Sequence, residues 1–332
     1  MSASDQTQSG AGSAAGTHHP AIEGLRAIAV LSVVLAHSLT PRILRGFIGV
    51  DIFFVISGFL ICRMLFDELE RDGQIHLLNF WSRRMRRLLP NATLTLIAVL
   101  LVGLLLVPGY LRTDVAMDVA TSALQVSNYH FAGKAVDYFR QDDSQSPVLH
   151  FWSLAVEEQF YIVWPGLLAL LCLVFRHKAL PVSRILLIII CIASLAGMLK
   201  AITASQPVAF FHSWARAWQL GLGGLLAVAF KTWSDAKALQ VSYAPQFRLF
   251  LGVLGWVGLG AIVASIIVLD EDTLYPGLHA LPPTLGAGAI VAAVTMPPPE
   301  VITGGQNLFY RSPLSDGSAH DPTAGIYGIG RY

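Results

Sequence analysis

The chain has 332 residues, 54% hydrophobic and only 13% charged, with a mean hydropathy of +0.59 and a net charge of +1. A soluble domain carries about 25% charged residues, so that class is excluded. The net charge says nothing about partners, and no basic pattern calls for nucleic acid. Several apolar runs reach the roughly 20 residues needed to cross a bilayer, where only helices or closed barrels satisfy the backbone. The expected fold class is all-α, a polytopic integral membrane bundle of about eight transmembrane helices.

Residues 1–19 are rich in Ser, Ala, Gly and Gln and hold no Lys or Arg. Without a basic n-region they read as a disordered tail rather than a cleaved signal peptide. The first span, about 21–40, carries Glu23, Arg26 and His37. Ionisable groups are costly at the bilayer centre, so they must look into protein or water. Arg26 and His37 are eleven residues apart, close to three helical turns and about 16 Å along one face. Histidine moves a proton near neutral pH and suits general-base work; a histidine satisfied by a neighbouring helix is the other reading.

The second span, about 46–66, opens with Asp51 and includes Ser57 and Gly58. Asp51 could orient a cation such as Arg26 or His37, or sit at the interface. The run FWSRRMRRLLP (80–90) precedes the third span, about 90–110. Its Arg83, Arg84 and Arg87 share helix faces, and arginine forks match phosphate oxygens. The run could hold the phosphates of a nucleotide-containing donor, or it could be a topology signal on anionic lipid. Residues 111–149 are acidic and long enough for some structure.

The fourth span, about 150–175, starts HFWSLAVEEQFYIVWP. His150, Glu157 and Tyr161 fall on one side of a helical wheel while Glu158 points elsewhere, which makes Glu157 the inward-facing candidate. Spans follow at about 184–204, 210–230, 248–269 and 278–296. The sixth carries His212, Arg216 and Gln219 at helical spacing, with Gly221, Gly223 and Gly224 permitting close packing. Cys62, Cys172 and Cys191 have no metal or disulfide spacing and read as core residues. No metal site is expected. Residues 297–332 are polar and turn-rich and are expected to be disordered.

Basic residues divide unevenly between the loops. Fourteen fall on one side (Arg63, Arg71, Arg83, Arg84, Arg86, Arg87, Arg176, Lys178, Arg184, Lys231, Lys237, Arg248, Arg311 and Arg331) and five on the other (Arg42, Arg45, Arg112, Lys134 and Arg140). The positive-inside rule then puts both termini in the cytoplasm.

The stretches HPAIEGLRAIAVLSVVLAHS, GFIGVDIFFVISGFLI, FWSRRMRRLLP, FWSLAVEEQFYIVWP, ARAWQLGLGGLLA and LYPGLHALPPTLGAGAIV cover most of residues 19–296. In this order they resemble the membrane acyltransferase 3 family, the bacterial O-acyltransferases of cell-surface glycans. The fourth is most similar to the subgroup that often carries an SGNH domain. The resemblance implies a domain over 20–296 in the bacterial inner membrane. It would move an acyl group, most simply acetyl, from cytoplasmic acyl-CoA to a hydroxyl of an extracytoplasmic glycan such as lipopolysaccharide or another surface polysaccharide.

It also implies His37 as catalytic base with Arg26 in its Arg-x10-His motif. Arg84 and Arg87 match the donor-linked Arg-x-x-Arg element, with Arg83 beside them, and Glu157 matches the acidic position of the fourth helix. Asp51, His150 and Arg216 are read as substrate or structural polar groups. Two departures stand out. Gln219 replaces a usual glutamate, and a polar tail replaces the family's last helices, so the chain reads as truncated near residue 300. The rival readings are a secondary transporter of a small anion or sugar, disfavoured by the lack of an internal repeat, and an inactive remnant.

Overall fold

The computed structural model describes residues 20–38, 47–138, 146–175, 178–238, 245–269 and 273–296; at 20, 21, 35–38, 47, 136–138, 233–238, 245 and 248 it describes the backbone alone. The two expected tails, 1–19 and 297–332, lie outside the described residues. Every regular element described is a helix. In chain order they are α1 (Pro20–Ser38), α2 (Phe47–Asp72), α3 (Leu77–Leu106), α4 (Arg112–Ala123), α5 (Ser127–Tyr138), α6 (Phe151–Phe175), α7 (Ala179–Ala204), α8 (Gln206–Phe211), α9 (Ser213–Ala238), α10 (Pro245–Val268) and α11 (Leu281–Thr295).

Each of the eight expected spans falls largely on a described helix. Six stretches among the described residues are long and apolar enough to cross a membrane: α2 from Ile48, α3, α6, α7, α10 from Leu249 and Gly277–Thr295. The other two, α1 and α9, hold 19 and 26 residues and carry polar stripes. The bundle wears its apolar side outward. Leu94, Ile97, Leu101, Leu105 and Leu106 of α3 are exposed, as are Ile189 and Ile192 of α7 and Trp256 and Ile267 of α10. Exposed apolar surface on this scale belongs against lipid, and the chain is a multi-pass membrane protein.

Two helix starts bear on the expected site residues. Helix α3 starts at Leu77, so the arginine run lies inside it, with Pro90 in its interior. A proline removes one backbone donor, a local loss within a helix of 30 residues. The acidic stretch after α3 folds into α4 and α5. The sixth span begins only at Ser213, because His212 is extended (φ −74°, ψ 133°) and ends the short α8. His212 therefore leaves the stripe that its spacing from Arg216 and Gln219 suggests.

Helix α2 packs against both α1 and α9. Small residues set these approaches. A Cβ on Gly58 would run into the backbone of Leu220, and one on Gly223 into that of Val55, so α2 and α9 touch backbone to backbone. Gly258 of α10 and Gly286 of α11 make the same kind of contact, each Cβ position lying 2.6 Å from the other's carbonyl oxygen. The main core joins Ile52, Ile56 and Phe59 of α2 with Phe80, Tyr161, Trp164, Leu187 and Val291.

The α4–α5 pair is tied down by polar contacts. Asp118 accepts from Lys134 Nζ at 2.9 Å and faces His130 Nε2 at 2.7 Å. Asn128 donates to the Phe211 carbonyl at 3.2 Å and to Ser213 Oγ at 3.0 Å. Gln159 of α6 donates to the Gln125 carbonyl at 2.8 Å and to Asn128 Oδ1 at 3.0 Å.

Candidate active site

Helix α2 carries polar residues at three levels, Asp51, Ser57 and Glu68, and each marks a separate cluster. At about 1.5 Å per residue they span roughly 25 Å of the helix.

At the Asp51 level the charges are sealed. Asp51 and Arg216 are 0% and 1% exposed, and Arg216 donates from its terminal nitrogen to Asp51 Oδ1 at 3.2 Å. Its Nε donates to the Phe210 carbonyl at 2.8 Å, and its guanidinium lies 4.9 Å from the Phe210 ring. Tyr275 donates its hydroxyl to the other Asp51 oxygen. Burial and that carboxylate push the Tyr275 phenol well above its usual range, so it remains a donor. Gln219 donates to Thr284 Oγ1 at 3.1 Å. Asp51 thus finds a cation on α9, in Arg216, rather than in Arg26. Tyr275 and Thr284 complete a cluster that helical spacing could not assemble.

At the Ser57 level Arg84, Glu157 and Glu158 are only partly covered, while Tyr161 is buried. Tyr161 donates to Glu157 Oε2 at 2.8 Å, one helical turn along α6. The Arg84 guanidinium lies 3.6 Å from the centre of the Tyr161 ring. Trp81 Nε1 donates to the Tyr161 carbonyl at 3.0 Å, fastening α3 to α6 here. Arg84 Nε stands 3.6 Å from Glu158 Oε1. That is an ion-pair distance but too long for a hydrogen bond, and neither atom has a hydrogen-bond partner among the described residues. Ser57 reaches both Glu157 and Tyr161, and the charges of Arg84 and Arg26 both act on Glu157. Arg26 also pairs with Glu23 at 3.3 Å. Counting Glu23 with its partner Arg26, two arginines and three glutamates gather here.

At the Glu68 level the charges face the helix ends. Glu68 Oε1 accepts from the His76 amide at 2.9 Å at the start of α3, and its other oxygen lies 3.7 Å from Arg83. Glu68, Asp72 and His76 come within 4.8 Å of one another. Both carboxylates already face cations, since Arg71 holds Asp72 at 2.8 Å, and the cluster is ion-paired.

The expected site residues are thus divided. Arg84 and Glu157 meet at the Ser57 level, joined by Ser57, Glu158 and Tyr161, while Arg26 pairs with Glu23 and only its charge reaches Glu157. Arg87 is exposed, with no carboxylate beside it among the described residues. Arg83 is committed to Glu68. Asp51 and Arg216 pair with each other. His150 is exposed in the turn before α6, against the Phe151 ring at 4.9 Å, and does not reach the Glu157 level. His212 accepts at Nδ1 from Trp214 Nε1 at 3.1 Å, in keeping with burial, which lowers its pKa. The His37 side chain lies outside the described residues; its backbone is in the last turn of α1.

A family model described as an acyltransferase domain matches residues 19–301. The O-acetyltransferase OatA of Staphylococcus aureus (strain NCTC 8325 / PS 47) is 34% identical over 261 residues, 78% of this chain and 42% of the relative. The putative peptidoglycan O-acetyltransferase YrhL of Bacillus subtilis (strain 168) is 36% identical over 265 residues, 78% of this chain and 41% of the relative. The chain therefore spans about two-fifths of the length of these relatives. No solved structure matches.

Proposed function

The chain belongs to the membrane acyltransferase 3 family, and on that premise we propose that it transfers an acetyl group from cytoplasmic acetyl-CoA to a hydroxyl of an extracytoplasmic glycan in the bacterial inner membrane. Two relatives are named for O-acetyl transfer, one of them to peptidoglycan, and a cell-wall glycan is the acceptor class we assign. The observation that carries the reading is the layer of Arg84, Glu157 and Glu158, only partly covered, around the buried Tyr161 on helices of lipid-spanning length. Charge is retained there against a solvation cost, and a packing role alone would be served by apolar residues.

The bilayer dictates the division of labour. The donor carries phosphates and stays on the cytoplasmic side, near the arginines of α3. The acceptor arrives from the other side. His37 lies about 16 Å along α1 from Arg26, beyond Ser32, which packs near Gly49 at the start of α2. There it takes the proton of the attacking hydroxyl as the oxygen attacks the thioester carbonyl and the thiolate leaves. Arg26 adds positive charge towards the donor layer, and Glu157 is held there by the Tyr161 hydroxyl.

The reading requires one orientation. A reporter fused after Tyr332 should behave as cytoplasmic, and one inserted near Asp142 as extracytoplasmic. The opposite pattern would place the α3 arginines on the side without acyl-CoA and end the donor argument.

A further inference from the structure

Arg86 takes no part in the clusters along α2. It is exposed, and while Arg83 and Arg84 face Glu68 and Glu158, no carboxylate faces Arg86 among the described residues. Its depth follows from the length of α3. The helix holds 30 residues, about 45 Å at 1.5 Å per residue, and the hydrocarbon accommodates only about 20 of them. The exposed Tyr110 follows the C-terminal end of α3, and aromatic rings of this kind collect at the membrane–water boundary. Counted back from Leu106, about 20 residues of hydrocarbon end beside Arg86.

Its direction follows from periodicity. On a wheel of 100° per residue, Arg83, Arg86, Pro90, Ile97, Leu101 and Leu104 fall within about 60°. All six are exposed. The buried residues of α3, Phe80, Leu96 and Gly103, lie outside that sector. One stripe therefore meets lipid chains at Ile97, about 16 Å along the helix from Arg86, and ends in a guanidinium at the level of the head groups. The planar fork of arginine matches phosphate oxygens. A zwitterionic head group brings its own cation beside the phosphate, whereas an anionic one leaves its charge for the protein to balance.

We propose that Arg86, flanked by Arg83, holds the phosphate of an anionic phospholipid whose acyl chains lie along Ile97, Leu101 and Leu104. Arg84 turns inward over the ring of Tyr161, away from this stripe.

Native mass spectrometry of the full chain in detergent, titrated with phosphatidylglycerol or phosphatidylcholine, reads the bound lipid directly. No acyl donor is present, so the outcome is independent of acyl transfer. The unaltered chain should hold phosphatidylglycerol about fivefold more tightly than phosphatidylcholine, the contribution of one basic residue near an anionic surface. Arg86→Gln should lose most of that preference. Arg86→Lys should keep part of it, since lysine carries the charge without the fork. Added salt should weaken the phosphatidylglycerol complex of the unaltered chain and spare the phosphatidylcholine one, which tests the charge without any substitution. Equal binding of the two lipids by the unaltered chain, or an undiminished preference in Arg86→Gln, would overturn the proposal. Displacement of bound phosphatidylglycerol by CoA would assign Arg86 to the donor and overturn it as well.

Discussion

His37→Ala is expected to lower acetyl transfer by about 10²–10⁴-fold, the contribution of a positioned general base, with membrane insertion and protein level unchanged. The expectation rests on placement. The α1 backbone puts residue 37 on the face of Arg26, three turns away, and the charge of Arg26 acts on Glu157 inside the bundle. A loss confined to turnover, with CoA binding intact, separates a base from a donor ligand. Labelled-acetate release from the product by mild alkali measures it. Transfer at near-native rate in the variant would remove His37 from the reaction.

Arg216→Ala is expected to have the largest effect on stability. It would leave the Asp51 carboxylate, 0% exposed, without its cation. Removing one partner of a buried pair costs about 3–5 kcal/mol, whereas apolar residues at both positions are often tolerated. Asp51→Leu with Arg216→Leu should therefore recover much of the loss. The lost Phe210 carbonyl bond and ring contacts add to the single change. Thermal unfolding in detergent measures the effect. An unaltered midpoint in the single variant would show that the pair contributes nothing to the fold.

The contrast between these residues shows what the sequence makes legible. The membrane helices are readable because lipid forces long apolar runs into helices, and the polar faces follow from helical periodicity. Pairings across helices are not. A wheel puts Glu157 and Tyr161 on one side of α6 but does not say that Arg84 of α3 lies over that tyrosine. It turns Glu158 away from Glu157, and Glu158 is nevertheless the carboxylate that Arg84 faces. Asp51 and Arg216 are 165 positions apart, and only the close approach of α2 and α9 at Gly58 and Gly223 brings them together. Arg83, Arg84 and Arg87 read as one basic cluster, yet one is taken by Glu68, one sits in the Tyr161 layer and one is exposed. His212 drops out of its stripe because α8 ends there.

The central claim is a covalent transfer across the membrane. Everted vesicles containing the chain expose its cytoplasmic face to added acetyl-CoA labelled in the acetyl group. The account expects alkali-labile label to accumulate on glycan inside the vesicles, dependent on the chain and absent with His37→Ala. Label that never reaches glycan, with the chain folded and inserted, would contradict it.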